Sequence, residues 1–444
     1  MYNFKQGFYA DVRIENRFST KVTYRNGVME ECKETNVKKA FIRVFDGDKW
    51  FYASTCKLGD INGELEKLYD CATKNDRIDE NEVVKRFEAN VYDGLTFAND
   101  CVKNVDVKEK AKFLTDRLDY LKHDYVKMCL SMYVDRYSEY EFYSSKGANI
   151  HYDFQIAGVM FYIALANDKD NFTNSVQRCE NSFDKLKLTQ NELKDFVDEG
   201  VNFLNNAKSV KPGIYPVIFS PEATGIFAHE SFGHKSEADF MIGDETMKNE
   251  WAIGKKVGSN ILSIYDSGLE GVSGYALFDD EGTRTKKTYL IKDGVLVGRL
   301  HSVVTATDTG EELTGNARAI NTDFEPIVRM TSTVIDAGKD SVEDLFKGIK
   351  HGYFIKTVKH GSGMSTFTIA PNICYEIVDG KIGDPVKIAV VTGNVFETLG
   401  RIDGLSDKKE VLSSAVGGCG KMEQFPLPVS YGGPYARISQ MNVQ

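Results

Sequence analysis

Tyr215-Pro216-Val217-Ile218-Phe219-Ser220-Pro221-Glu222 opens the stretch that decides how this chain is built, and His229-Glu230-Ser231-Phe232-Gly233-His234 closes it. Residues 215–219 read as a short strand. Ser220 then stands at a helix N-cap, Pro221 at the first helical position and Glu222 in the first turn, three features that favour a helix start. The helix so begun runs through Ile226 and Phe227 to His229 and His234.

Two imidazoles and a carboxylate within two helical turns are the set a zinc hydrolase needs. A catalytic zinc site takes three protein ligands and keeps one position open for water. Glu230, beside the first His, cannot easily ligate the same metal, but it can point toward the water and act as general base. The same pattern also suits a helix with two hydrogen-bonded histidines and a solvated Glu.

The spacing imposes a condition. On a regular helix an i,i+4 pair lies about 40° apart and an i,i+5 pair about 140° apart. His229 and His234 are an i,i+5 pair, so they converge only if the helix widens to an i→i+5 turn, a distortion that clusters at functional sites. Gly233 is the residue expected to permit it through its backbone freedom.

Working outward, 444 residues predict two or more domains. A hydrophobic content of 42% and a charged content of 27% fit an ordinary soluble globular chain. A net charge of −10 argues against direct nucleic-acid binding. The best apolar run, residues 156–166, is too short for a membrane span, and Met1-Tyr2-Asn3-Phe4-Lys5-Gln6 does not lead into a signal-peptide core. The eight cysteines are scattered and read as reduced thiols. A cytoplasmic location is expected.

The first two hundred or so residues mix strands and helices. Residues 40–56 predict a hairpin turning at Asp46-Gly47-Asp48. Helices are expected over 62–73, 107–125 and 190–207, the last from Leu193, Phe196, Val197, Val201 and Leu204. A strand-rich block spans 127–166 around the turn Ser145-Lys146-Gly147-Ala148. Ser209-Val210-Lys211-Pro212-Gly213 marks the expected boundary between domains 1–209 and 213–444. Beyond about residue 260 the chain reads as mostly β, with hairpin turns at Asp293-Gly294 and Asp379-Gly380. Gly361-Ser362-Gly363 and Gly417-Gly418-Cys419-Gly420 read as Gly-rich turns. The fold class expected is α+β, with an α/β N-terminal domain and a β-rich, barrel-like C-terminal domain carrying one metal-binding helix.

A third ligand is needed. Glu237 and Asp239 are near; Cys419, flanked by glycines, has the backbone freedom to approach a metal, and a His/His/Cys set favours zinc. A small buried thiol is the simpler reading of that Cys. Glu237 and Asp239 are also candidates to orient the histidines. His301, His351, His360 and Tyr431 are candidate oxyanion donors, and Asp279-Asp280-Glu281 reads as a turn of solvated acids.

Several ordered motifs together resemble the TldD/PmbA family of metallopeptidases. They are Ser220-Pro221-Glu222-Ala223 running into 229–239, Phe278-Asp279-Asp280-Glu281-Gly282, Gly315-Asn316-Ala317-Arg318, Val328-Arg329-Met330-Thr331 and Gly418-Cys419-Gly420-Lys421. Gln424, Pro428 and Gly433-Pro434 follow, and Gly7-Phe8-Tyr9-Ala10-Asp11-Val12-Arg13 looks like a family start. The resemblance implies Zn2+ held by His229, His234 and Cys419, with Glu230 as catalytic acid/base. It implies hydrolysis of unstructured peptides, and a homodimer or a heterodimer with a related subunit lacking the zinc motif. The N-terminal domain would serve dimerisation or form a channel. Ser332, where the family pattern has Asn, puts substrate contacts near it in doubt. Other readings are a dipeptidyl-peptidase III-like exopeptidase, a regulatory subunit with structural zinc, and a role in topoisomerase regulation.

Overall fold

The computed structural model describes residues 2–444. Strands from the first 180 residues form one seven-stranded sheet. Its centre is two long hairpins. Tyr9–Arg25 pairs with Val28–Phe45, and Val126–Ser144 pairs with Asn149–Ala166 across the expected turn at Gly147. Trp50–Thr55 extends the first hairpin through the turn at Gly47, as 40–56 predicts. All pairings are antiparallel except Val91–Gly94 against Asn149–Ala166, so this part is not the alternating α/β arrangement expected. Few of its strands are joined by crossover helices, which parallel pairing requires.

Two of the three expected N-terminal helices form nearly as read: Ile61–Cys71, and Gln190–Asn206, which starts at a Thr189/Glu192 capping box and buries Leu193, Phe196, Val197 and Leu204. The third is shorter, Val107–Thr115. Arg117 Nη1 donates to Phe113 O (2.8 Å), taking a carbonyl that a longer helix would use, and the chain tightens into the turn Leu118–Leu121.

The second sheet has fourteen strands. Its hub is Ser430–Val443, which pairs with Ser332–Ile335, Gly213–Phe219, Val391–Asn394 and Ile402–Ser413. The pairings branch from this hub and, among the described residues, never return in a ring, so no closed barrel is seen. The Asp293-Gly294 and Asp379-Gly380 hairpins are present, with φ of 48° and 78°, and 48° and 74°. Gly361-Ser362-Gly363 is not a turn: it ends the strand Val358–Gly363, which pairs with Thr366–Pro371.

Asp279-Asp280-Glu281 does form a turn, with Gly282 at φ 79°, but not of solvated acids. Asp279 is 5% exposed and accepts the backbone N–H groups of Glu281, Thr283 and Ala317. Arg13 pairs with Asp280 (3.1 Å) and Arg43 with both Glu281 (3.1 Å) and Asp11 (2.7 Å). Cations from the first hairpin thus reach across to this turn, and burial is met by pairing. No helix among the described residues is long and apolar enough to cross a membrane.

Candidate metal centre

The strand Gly213–Phe219 hands the chain to the helix Pro221–Phe227, where Ser220 Oγ accepts the Ala223 N–H (3.2 Å) as its N-cap. This helix crosses the hub strand where both have glycine. A side chain on Gly225 would sit 2.6 Å from Gly432 N, so the close approach needs a residue without Cβ. The helix is therefore held tightly along the sheet just before it reaches the histidines.

Residues Ala228–Gly233 then widen into a π turn, with the His234 N–H bonded to His229 O, five residues back. This is the distortion that the i,i+5 spacing demanded, and it brings the two rings to a centroid separation of 5.1 Å. The role expected of Gly233 is corrected. Its φ of −57° and ψ of −51° are ordinary helical values, open to any residue. What it lacks is room, because a Cβ there would overlap Met330 Sδ.

Cys419 arrives from 185 residues away on the short strand Cys419–Lys421, with Sγ 3.4 Å from His234 Nε2. One ligand atom from each of His229, His234 and Cys419 lies within 4.8 Å of the others. Tetrahedral zinc, with bonds near 2.0–2.1 Å to nitrogen and 2.3 Å to sulfur, holds its ligand atoms about 3.3–3.6 Å apart, inside that limit. The donor set of two imidazoles and a thiol suits zinc, and His229 Nδ1 is buried without a hydrogen-bond partner among the described residues. The residues present fit the ion.

The three groups are also coupled electrostatically. Burial would push the Cys419 thiol up, but the two imidazoles outweigh it and bring it down to about 5. Burial likewise opposes charge on His234, yet Cys419 and Glu237 raise it to about 10. His229 is also raised, against its burial, by Cys419. The thiolate is the form that ligates, and this cluster favours it.

Glu237 is fully buried and accepts from His234 Nδ1 (3.4 Å), so it orients that ring. Asp239 touches neither histidine; its carboxylate takes Lys421 Nζ at 2.6 and 2.8 Å. Glu230 follows His229 and borders a cavity of about 1010 Å³ together with all three candidate ligands. Of the candidate oxyanion donors, His360 and Tyr431 line this cavity. His301 is buried elsewhere against Thr305 and Glu311, and His351 bonds Glu376 at the surface. Ser332 is buried and donates to Glu270 O.

Three features of the cavity had no counterpart in the sequence reading. Glu222, read as a first-turn acid within a family motif and given no role at the site, lines the wall, where its Oε1 accepts the Val358 N–H (3.0 Å). Burial raises its carboxyl to about 7. The strand Val358–Gly363 runs past the helix so closely that a Cβ on Gly361 would sit 3.0 Å from Glu230 Cγ. Residues 174–178, from the edge strand Asn171–Glu180 of the first sheet, also line it.

Comparison with known proteins agrees with this geometry. Residues 212–444 match the model of the PmbA/TldA metallopeptidase C-terminal domain and residues 10–75 that of PmbA/TldA metallopeptidase domain 1. A metalloprotease of Methanocaldococcus jannaschii is 29% identical over 97% of this chain and 96% of its own length. A zinc metalloprotease TldD homolog of Saccharolobus solfataricus is 27% identical over 98% of this chain and 96% of its own. Among solved structures, a Thermotoga maritima protein described as a modulator of a DNA gyrase superposes with a TM-score of 0.77 at 18% identity, over 99% of this chain and 96% of that one. TldE of Thermococcus kodakarensis gives 0.75 at 16% identity, over 98% and 96%. With the family model spanning more than half its length, this chain belongs to the TldD/PmbA family of metalloproteases.

Proposed function

We propose that the chain is a zinc-dependent peptidase acting on extended peptides, with His229, His234 and Cys419 as ligands and Glu230 as general base. The observation that carries this reading is the convergence of the three ligands beside Glu230 at the wall of one cavity. Three protein ligands facing a cavity is the catalytic pattern, whereas a structural zinc has four and is closed. The relative named a zinc metalloprotease supports the choice of ion.

Zinc, when bound, supplies Lewis acidity toward water and the scissile carbonyl. Glu230 takes the proton from the attacking water and delivers it to the leaving amine. Glu237 holds the His234 ring in place through Nδ1. Among the described residues, the strand Val358–Gly363 pairs on one edge, with Thr366–Pro371. Its other edge supports recognition of an extended peptide by backbone pairing, independent of side-chain identity. We read residues 1–209 as the dimerisation or channel-forming domain and 213–444 as the zinc domain, working in the cytoplasm as a homodimer or beside a related subunit without the zinc motif.

Mass spectrometry of an unstructured peptide mixture, incubated with the chain and in parallel with Glu230→Gln, tests this. Cleavage by the wild type alone is expected, with zinc content equal in both. Turnover by Glu230→Gln would remove Glu230 as the base. No cleavage by either would favour a regulatory subunit or an obligate partner.

A further inference from the structure

We infer that Lys421 is a positioning residue of the metal centre, coupling the strand that carries Cys419 to the ring of His234 through Glu237. The inference rests on the reading of His229, His234 and Cys419 as metal ligands.

The Lys421 side chain is 2% exposed. Its ammonium lies 2.9 Å from Glu237 Oε2, 2.6 and 2.8 Å from the Asp239 carboxylate oxygens, and 2.8 Å from Val328 O. An ammonium has three protons to give, and these acceptors engage all of them. Glu237 depends on this contact. Its Oε2 is shared between Lys421 and His234 Nδ1, and its buried Oε1 has no partner among the described residues. Without Lys421 the carboxylate would keep only the 3.4 Å contact to His234. A buried carboxylate so poorly met is no longer held in place, and the ring of His234 loses a fixed acceptor at Nδ1.

The arrangement is specific to one ligand pair. The strand Cys419–Lys421 grips His234 from both sides, with Cys419 Sγ at Nε2 and Lys421 acting through Glu237 at Nδ1. His229 has no such backing. Arg329, also fully buried, donates to Cys419 O (2.8 Å) and fixes the same strand from behind. Lys421 therefore does more than neutralise two acids: it sets the third ligand and the second ring relative to each other.

The test is zinc affinity by chelator competition, together with the thiolate-to-cobalt absorption band of the cobalt-loaded protein and the melting temperature of the metal-free protein. Lys421→Met is expected to weaken zinc binding about 10–100-fold, the range for loss of an outer partner of a ligand, and to alter the cobalt band. Lys421→Arg should recover part of the loss. In a Glu237→Gln background, Lys421→Met should add little further. Zinc affinity within about twofold of wild type, or full additivity of the two substitutions, overturns the inference and leaves a fold-stabilising ion pair. Should Lys421→Met fail to fold, Lys421→Arg with Glu237→Gln carries the same cycle with the same two outcomes. A wild type that binds no zinc overturns the metal-centre reading itself, and this inference with it.

Discussion

Gly233 lies against Met330 so closely that a methyl group on the glycine would overlap the methionine sulfur, and Met330 is fully buried. The residue before the second histidine of the metal motif is therefore a spacer of fixed size. Gly233→Ala is expected to cost about 1–3 kcal/mol, as overpacking does, and to weaken zinc retention by shifting the π turn. Denaturant unfolding with zinc analysis checks it; an unchanged midpoint would show that Met330 yields freely.

Gly361 plays a comparable part beside Glu230. Adding a Cβ there places carbon 3.0 Å from Glu230 Cγ, tighter than ordinary van der Waals contact. Gly361→Ala should leave zinc content intact and lower kcat roughly ten- to hundredfold, the scale of a displaced catalytic group. Equal kcat would show that Glu230 tolerates being moved.

Cys419→Ala removes the thiolate that His229 and His234 hold down to about 5. Zinc should be lost on dialysis under conditions where the wild type keeps it. A zinc stoichiometry that survives the substitution takes Cys419 out of the ligand set.

Glu222 titrates against the direction usual for surface acids. Burial raises its carboxyl from 4.5 to about 7, opposed by the Val358 N–H and Lys356. The folded state therefore holds this proton where the unfolded chain has released it, so stability falls as pH rises from about 4.5 to 7 and is then level. Glu222→Gln keeps an acceptor for the Val358 N–H and lacks the charge. Its melting temperature should exceed that of the wild type at pH 8, by an amount equivalent to roughly 1–3 kcal/mol, and match it near pH 4. A gap that does not change with pH would refute the assignment.

What could be read from sequence divides along a physical line. Local patterns were legible: the Ser220-Pro221 helix start, the Gly-containing hairpins and the capped helix Gln190–Asn206 all depend on neighbours within a few residues. Even the π turn was legible, because one angular mismatch between His229 and His234 required it. Distant partners were not. Nothing near Asp279-Asp280-Glu281 announces that Arg13 and Arg43 will cover it. Nor does Gly361-Ser362-Gly363 show that its glycines make way for Glu230 rather than turn the chain. Glycine marks a place where something comes close, and only the fold says what.

The ion pairs of Arg13 with Asp280 and Arg43 with Glu281 join the first hairpin of one sheet to a turn between strands of the other, and residues of both sheets line the cavity. Removing one partner of a buried pair costs about 3–5 kcal/mol because the other charge is left unmet, so Arg13 and Arg43 are tied to the acids of this turn. What reaches Glu230 therefore meets two walls drawn from distant parts of the chain, and these buried pairs help fasten those parts to each other.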